Sequence, residues 1–434
     1  MLDLIVLTLA SITTWWNSWR QPQPDLQPLK SVQWEQAALF QPPEFSRDRL
    51  SHTVVESYLQ NLSQQGLDRD RQGIWLQSGW DVSASHLGAT PLPAASLTKI
   101  ATTLAALNEW GAKHQFITDV YVTGTVNDGV VTGDLVIRGG GDPLFVWEEA
   151  IALGNALNQL GIRKVEGNVA IVDQFYMNFE PEPLTAGELL KEAFDRSLWT
   201  SPITQQYLQM PVGTKQPKIK IAGDVRQVSV VPRRAKHLIR HRSLPLAEVL
   251  RQMNIYSNNK MAQMLTDLVG GANVVARISS KIAGFPAAEI KLVNGSGLGE
   301  KNQISPRAVC RMLMALDRLL EEDRYSATDL FPAAGRDLVG TLQGRGLPQG
   351  MTVKTGTLDN VSALAGVIPT SDRQNVYFSI INYGRPVKYL RQQQDSLLNE
   401  LAQPWKLKPS NSNLIREHNW YLGNPWRNKS IAPN

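Results

Sequence analysis

Apolar positions along the chain repeat with two periods, and the switches between them lay out the predicted elements. Gly73-Ile74-Trp75-Leu76 and Val82 to Leu87 read as two strands joined by a turn around Gly79–Asp81. A helix is predicted from about Ser96, because Leu97, Ile100, Ala101, Leu104 and Leu107 recur three and four apart on one side. From Asp119 the period becomes two. Val120, Val122 and Val126 alternate, Asn127-Asp128-Gly129 supplies a hairpin turn, and Val130 to Ile137 runs back. Gly139-Gly140-Gly141-Asp142-Pro143 ends that strand. A helical stretch from Glu148 to Leu160 and a strand from Val165 to Val172 follow, so the segment reads as α+β. The region from about 180 to 225 is rich in Pro and Gly and weakly patterned. Helices resume at Leu246 to Met253 and Lys260 to Leu268, with Ser257-Asn258-Asn259 in the joint between them. Ser305-Pro306 opens another helix through Leu320. Met351 to Leu358 is strand-like, and Ser362 to Ile368 is expected to pair with Val376 to Ile381.

The two ends carry no such pattern. Leu4 to Ile12 is an apolar run with no Lys or Arg before it. It is shorter than the about 20 residues of a membrane span and reads as an export signal or weak anchor. Residues 17–45, with Gln21-Pro22-Gln23-Pro24 and Gln41-Pro42-Pro43, read as an extended linker, with ordered structure from about Arg47. The tail from Lys406 is polar despite Trp420 and Trp426, and is expected to be loosely held.

Composition narrows the picture. A chain of 434 residues suggests two or three domains, and 42% apolar against 19% charged residues excludes wholesale disorder. Lys+Arg 44 against Asp+Glu 39 leaves a net charge of +5, suited to an anionic polymer, but no basic block argues for nucleic acid. The single cysteine, Cys310, excludes an internal disulfide framework or a Cys-rich metal site. It lies among Val309, Met312 and Leu313, where a buried inert thiol is expected.

Three short motifs carry chemistry. In Ser96-Leu97-Thr98-Lys99 a spacing of three brings hydroxyl and amine to one face of a helix start. A serine becomes a nucleophile when a neighbouring base takes its proton, and a lysine serves as that base once burial or a nearby cation lowers its pKa. Ser257-Asn258-Asn259 sits between helices, where side chains can face a cleft. Lys354-Thr355-Gly356-Thr357 lies on a strand, where glycine admits a substrate backbone and lysine and threonine can hold a carboxylate. In this order the three are the signature of penicillin-binding proteins and class A β-lactamases.

Further stretches narrow the resemblance. Pro93 to Lys99 with Thr102, Gly139 to Pro143, Gly295-Ser296-Gly297-Leu298 before Ser305-Pro306, and Lys354 to Leu358 with Ser362 to Gly366 resemble the D-alanyl-D-alanine carboxypeptidase/endopeptidase family. These are low-molecular-mass penicillin-binding proteins with a domain inserted in the catalytic domain. The likeness covers about residues 70–175 and 240–385. The sequence departs from the family at Asn294, where members commonly carry Asp, and in the insertion after about residue 180.

The resemblance implies an α/β transpeptidase-like catalytic domain, an antiparallel sheet flanked by helices, interrupted by an α+β insertion. The expected organisation is a signal or anchor and linker at 1–45, catalytic parts at 46–115 and 236–405, the insertion at 116–235, and a tail at 406–434. It further implies Ser96 as acylated nucleophile, Lys99 as its base, and Ser257, helped by Lys354, relaying a proton to the leaving amine. Asn259 would hold the substrate amide, Lys354, Thr355 and Thr357 would grip the terminal carboxylate while Gly356 admits the substrate backbone, and the Ser96 and Thr357 amides would form the oxyanion hole. The implied reaction is removal of D-alanine from peptidoglycan stem peptides in the cell envelope, with β-lactams trapping Ser96 as an ester, and no metal or cofactor. A serine β-lactamase and a non-catalytic cell-wall-binding protein are the alternatives.

Other clusters read as structural. His237 and His241, spaced i, i+4, would share one helical face, but Lys236, Arg240 and Arg242 around them favour a solvated basic segment over a metal site. Glu188 and Glu192 read as an exposed helix face, Gly139 to Gly141 as a turn rather than a phosphate loop, and Trp75 and Trp80 as packing residues. Asp142 reads equally as a turn cap or a binder of substrate amines.

Overall fold

The computed structural model describes residues 49–371, 374–408 and 421–431. The apolar run at 4–12 and the linker at 17–45 lie outside them. Among the described residues, no helix is long and apolar enough to cross a membrane. The chain begins with α1 (Arg49–Gln64), the hairpin β1 (Gln72–Ser78) and β2 (Asp81–His86), and α2 (Thr98–Trp110). Next come β3 (Ile117–Val122), β4 (Leu135–Gly140), α3 (Trp147–Gln159), β5 (Val169–Gln174), α4 (Pro183–Phe194), β6 (Val225–Gln227) and β7 (Lys236–Arg242). The helices α5 (Leu246–Tyr256), α6 (Asn259–Val269), α7 (Ala272–Ala283) and α8 (Pro306–Leu320) lead to β8 (Thr352–Leu358), β9 (Val361–Ile368) and β10 (Val376–Tyr383). The last labelled elements are α9 (Val387–Ala402) and β11 (Asn428–Ser430).

The first sheet is antiparallel, in the order β8-β9-β10-β1-β2, so its centre is built from strands at both ends of the sequence. Helices cover both faces, so the inner strands β9 and β10 are buried along almost their whole length. In β9 every residue is buried. Alternation assigns Val361, Ala363, Ala365 and Val367 to the core shared with α2, α5 and α8, and Leu364 and Ile368 to the one shared with α1 and α9. Each large apolar side chain so buried contributes about 1.5–3 kcal/mol.

The second sheet is mixed, in the order β6-β5-β4-β3-β7-β11. Val120, Val122, Leu135, Ile137, Val169 and Ile171 pack under α3 and α4. The segment from β3 to β7 enters and leaves this sheet at one point, where Ser243 donates through its backbone to the Phe116 carbonyl and accepts at Oγ from the Phe116 amide, both at 2.9 Å.

Several expectations need correction. The region expected to lack pattern contains α4 and a short helix at Ser201–Tyr207, each with proline in its first turn, where a missing N–H costs nothing. β7 pairs with β3, so the mixed sheet runs through Arg242, beyond the boundary expected at 235. The polar tail is not loose over 421–431: β11 pairs with β7, and Arg427 is buried against Glu149. His237 and His241 lie on this strand, not a helix, and a bulge between His237 and Ile239 turns them to opposite faces. His237 stacks on Tyr121 and meets Asp119, while His241 is buried beside Phe145 and bonds Asn428. They form neither a metal pair nor a solvated segment. Trp75 packs in the core, but Trp80 is 62% exposed, near Arg311. Cys310 is buried, and desolvation holds its thiol far above the ordinary range.

Candidate active site

Ser96 lies in a single 3-10 turn, Ala95–Leu97, that leads directly into α2. The turn is tight because Ala95 adopts φ +47°, a left-handed conformation rare and costly for a residue with a Cβ. Two glycines press on it. At Gly356 a Cβ would come within 3.0 Å of the Ser96 nitrogen and the Ala94 carbonyl oxygen, so β8 passes closely alongside the serine. At Gly297, with φ +82°, a Cβ would lie 1.8 Å from the Ala95 carbonyl oxygen.

One turn on, Lys99 is wholly buried. Its Nζ stands 3.1 Å from Ser96 Oγ, 2.7 Å from Asn259 Oδ1 and 2.7 Å from the Ser296 carbonyl oxygen. Desolvation lowers this amine from 10.5 to about 7. A neutral amine has two N–H bonds and one lone pair. Asn259 and Ser296 are acceptors that take both N–H bonds, which leaves the lone pair for the proton of Ser96.

Ser257 ends α5 in the left-handed conformation, at φ 52°, and Asn258 immediately caps α6 by accepting from the Met261 amide. The sharp reversal lets Ser257 and Asn259 project from a joint two residues wide. Lys354, also buried, donates to Ser257 Oγ at 3.0 Å and to the Thr355 carbonyl at 2.8 Å. Burial, then the charge of Lys99, pushes its amine well below the ordinary lysine value. Ser96, Lys99 and Asn259 therefore form one bonded group and Ser257 with Lys354 a second, adjoining across residues 257–259. Thr355 is buried on β8, while Thr357 is exposed and accepts from Arg391 Nη2 at 2.6 Å.

Four further residues contribute, none of them given a role at the site by the sequence reading. Ser296 supplies the carbonyl that orients Lys99. Asn294 builds the turn that presents it: its Oδ1 accepts from Ser296 N at 3.2 Å, Ser296 Oγ at 3.0 Å and Gly297 N at 2.8 Å, and its Nδ2 donates to the Leu298 carbonyl. Thr102 anchors the same turn to α2 by donating to the Gly295 carbonyl at 2.8 Å. Arg391 reaches the site from α9, which no motif marks. Asp142 lies buried in the loop after β4, where its Oδ1 accepts from the Leu144 amide as a turn cap. Among the described residues, no group of His, Cys, Asp and Glu is arranged to hold a metal ion.

A family model described as the D-Ala-D-Ala carboxypeptidase 3 (S13) family matches residues 55–181 and 205–403. The D-alanyl-D-alanine carboxypeptidase DacB of Haemophilus influenzae is 23% identical, over 68% of this chain and 81% of that protein. The D-alanyl-D-alanine carboxypeptidase of Actinomadura sp. is 24% identical, over 75% of this chain and 79% of that one. Among solved structures, the penicillin G-acylated Bd3459 predatory endopeptidase of Bdellovibrio bacteriovorus superposes with a TM-score of 0.69 at 22% identity, covering 78% of this chain and 94% of that one. That likeness is one of fold, and it agrees with the transpeptidase-like architecture expected from the motifs.

Proposed function

The chain belongs to the D-Ala-D-Ala carboxypeptidase 3 (S13) family, and from that premise we propose that it cleaves D-Ala–D-Ala ends of peptidoglycan stem peptides through an ester on Ser96. The observation that carries this reading is Lys99 Nζ, 3.1 Å from Ser96 Oγ with its N–H bonds committed elsewhere. Ser96 Oγ attacks the carbonyl carbon between the two D-alanines as its proton passes to Lys99. The amides of Ser96 and Thr357 stabilise the oxyanion. Collapse breaks the C–N bond, and the departing amine receives, through Ser257 held by Lys354, the proton that Lys99 took from Ser96, which leaves Lys99 neutral again. Water then attacks the ester and gives a proton to Lys99, which returns it to Ser96 Oγ as the ester C–O bond breaks and the shortened peptide leaves. Asn259 serves twice, orienting Lys99 and holding the substrate's backbone amide. β-Lactams enter by the same attack and remain on Ser96.

The setting of this chemistry is the cell envelope, where stem peptides lie. We assign the apolar run at 4–12 to export or weak anchoring there. Purified protein incubated with labelled penicillin should become labelled, and Ser96→Ala should abolish the label without changing the unfolding transition. Labelling that survives the substitution would overturn the assignment. Digestion of purified peptidoglycan, read by mass spectrometry, separates released D-alanine from severed cross-links.

A further inference from the structure

A substrate ending in a free carboxylate needs a lasting positive charge at the end of its groove, and neither motif lysine is suited to supply it. Lys99 is committed to Ser96, Asn259 and Ser296. Lys354 is buried, spends its N–H bonds on Ser257 and the Thr355 carbonyl, and is held toward its neutral form by burial and by Lys99. Arg391 differs on each count. Its guanidinium is exposed, permanently charged, and 2.6 Å from Thr357 Oγ1. Its neighbour Arg345 is neutralised by Asp395 at 2.6 Å, whereas Arg391 has no carboxylate within 4 Å among the described residues. Partial desolvation, then Arg345, oppose its charge and outweigh the favourable field of Asp395, so a carboxylate arriving at hydrogen-bond range would stabilise it further.

Its position is fixed from below. One turn further along α9, Gln394 is fully buried, accepts from Ser362 Oγ at 3.1 Å and donates to the Ser362 carbonyl at 3.0 Å and to Asn382 Oδ1 at 2.8 Å. Ser362 is the partner of Thr357 across β9 and β8. The i, i+3 spacing therefore sets Arg391 above the Thr357 end of β8 when Gln394 seats. Because Thr357 Oγ1 accepts from Arg391, its own proton is free to point to a ligand.

We propose that Arg391 supplies the charge that captures the substrate's terminal carboxylate, in a two-pronged contact completed by the Thr357 hydroxyl, and so determines specificity for peptides with a free C-terminus. This rests on the reading of Ser96 as the acylated residue. The test compares acylation by benzylpenicillin with acylation by its methyl ester, and hydrolysis of an N-acylated D-Ala-D-Ala peptide with that of its C-terminal amide, in wild type, Arg391→Ala, Arg391→Lys and Ser96→Ala. Arg391→Ala should lose about 10- to 100-fold on the carboxylate forms, expressed in KM, and change less than about 2-fold on the capped forms. Arg391→Lys should fall between, since it keeps the charge and loses the fork. Equal losses on both forms, or none, would overturn the proposal. Failure of Ser96→Ala to stop acylation would instead overturn the site reading, so the two failures are distinguishable.

Discussion

The Asn259 side-chain oxygen lies nearer to the amine of Lys99, at 2.7 Å, than the Ser96 hydroxyl does, at 3.1 Å. An amide brought in from 160 residues away thus decides which way the lysine can receive a proton. It is a neutral acceptor, so it orients the amine without a counter-charge that would keep it protonated.

The first consequence is a pH dependence. Burial depresses Lys99 to about 7, so it is protonated and inert below that value and neutral above it. The rate constant for acylation by a penicillin should rise with pH, reach half its maximum near pH 7, and level off on the alkaline side. A rate independent of pH between 5 and 9 would refute the lysine base.

Asn259→Asp moves that profile. A carboxylate at the same position favours the protonated amine, and an opposite charge at such range shifts a pKa by about 1–3 units. The half-maximum should move to higher pH by about that much, with acylation recovered in alkaline buffer. Asn259→Ala, which adds no charge, should lower the rate without an upward shift.

Asn294 stands where family members commonly carry Asp, and its geometry explains why the amide suffices. The three bonds that shape the turn use one acceptor oxygen, which either side chain provides, and the Leu298 carbonyl that would lose the Asn294 Nδ2 bond still accepts from Asn302 Nδ2 at 3.0 Å. Asn294→Asp should therefore fold with a stability within about 1 kcal/mol of wild type, whereas Asn294→Ala should cost about 1–3 kcal/mol by orphaning those donors. Urea unfolding gives the stabilities. Acylation at the wild-type rate in Asn294→Ala would show that the turn does not position Lys99.

Arg427 makes the mixed sheet and its helix α3 depend on a distant segment. It is 9% exposed, paired with Glu149 Oε1 and bonded to the carbonyls of Arg242 and Tyr421. Arg427→Ala strands a buried carboxylate and should cost about 3–5 kcal/mol in thermal or urea unfolding. Adding Glu149→Gln should restore part of the loss. No destabilisation in the single variant would mean that the pair is not held in solution.

How much of this was legible beforehand depended on whether a residue's role was local. The serine–lysine spacing needs only four residues, and the helix and strand around the three motifs follow from apolar period, so those positions could be read directly. What was missed is set by distant partners. Arg391 has meaning only once Gln394 seats α9 on β9, and Ser296 contributes a backbone carbonyl that any residue possesses. His241 looked solvated because its neighbours are basic, yet a one-residue bulge turns it inward. β11 is three polar residues long, too short and too charged for any hydrophobic pattern to reveal. α7 follows two glycines, Gly270 and Gly271, which punctuate the sequence but here cap one helix and begin the next.

β11 also bears on how the protein is made. Its partner β7 precedes it by almost the whole second half of the catalytic module. During synthesis that flank of the mixed sheet must wait, its hydrogen-bonding groups open to any passing strand, until the segment around residue 429 leaves the ribosome. The mixed sheet is therefore finished after the antiparallel one, and a chain halted shortly before that segment would emerge with β8, β9 and β10 in place beside an adhesive, half-closed neighbour.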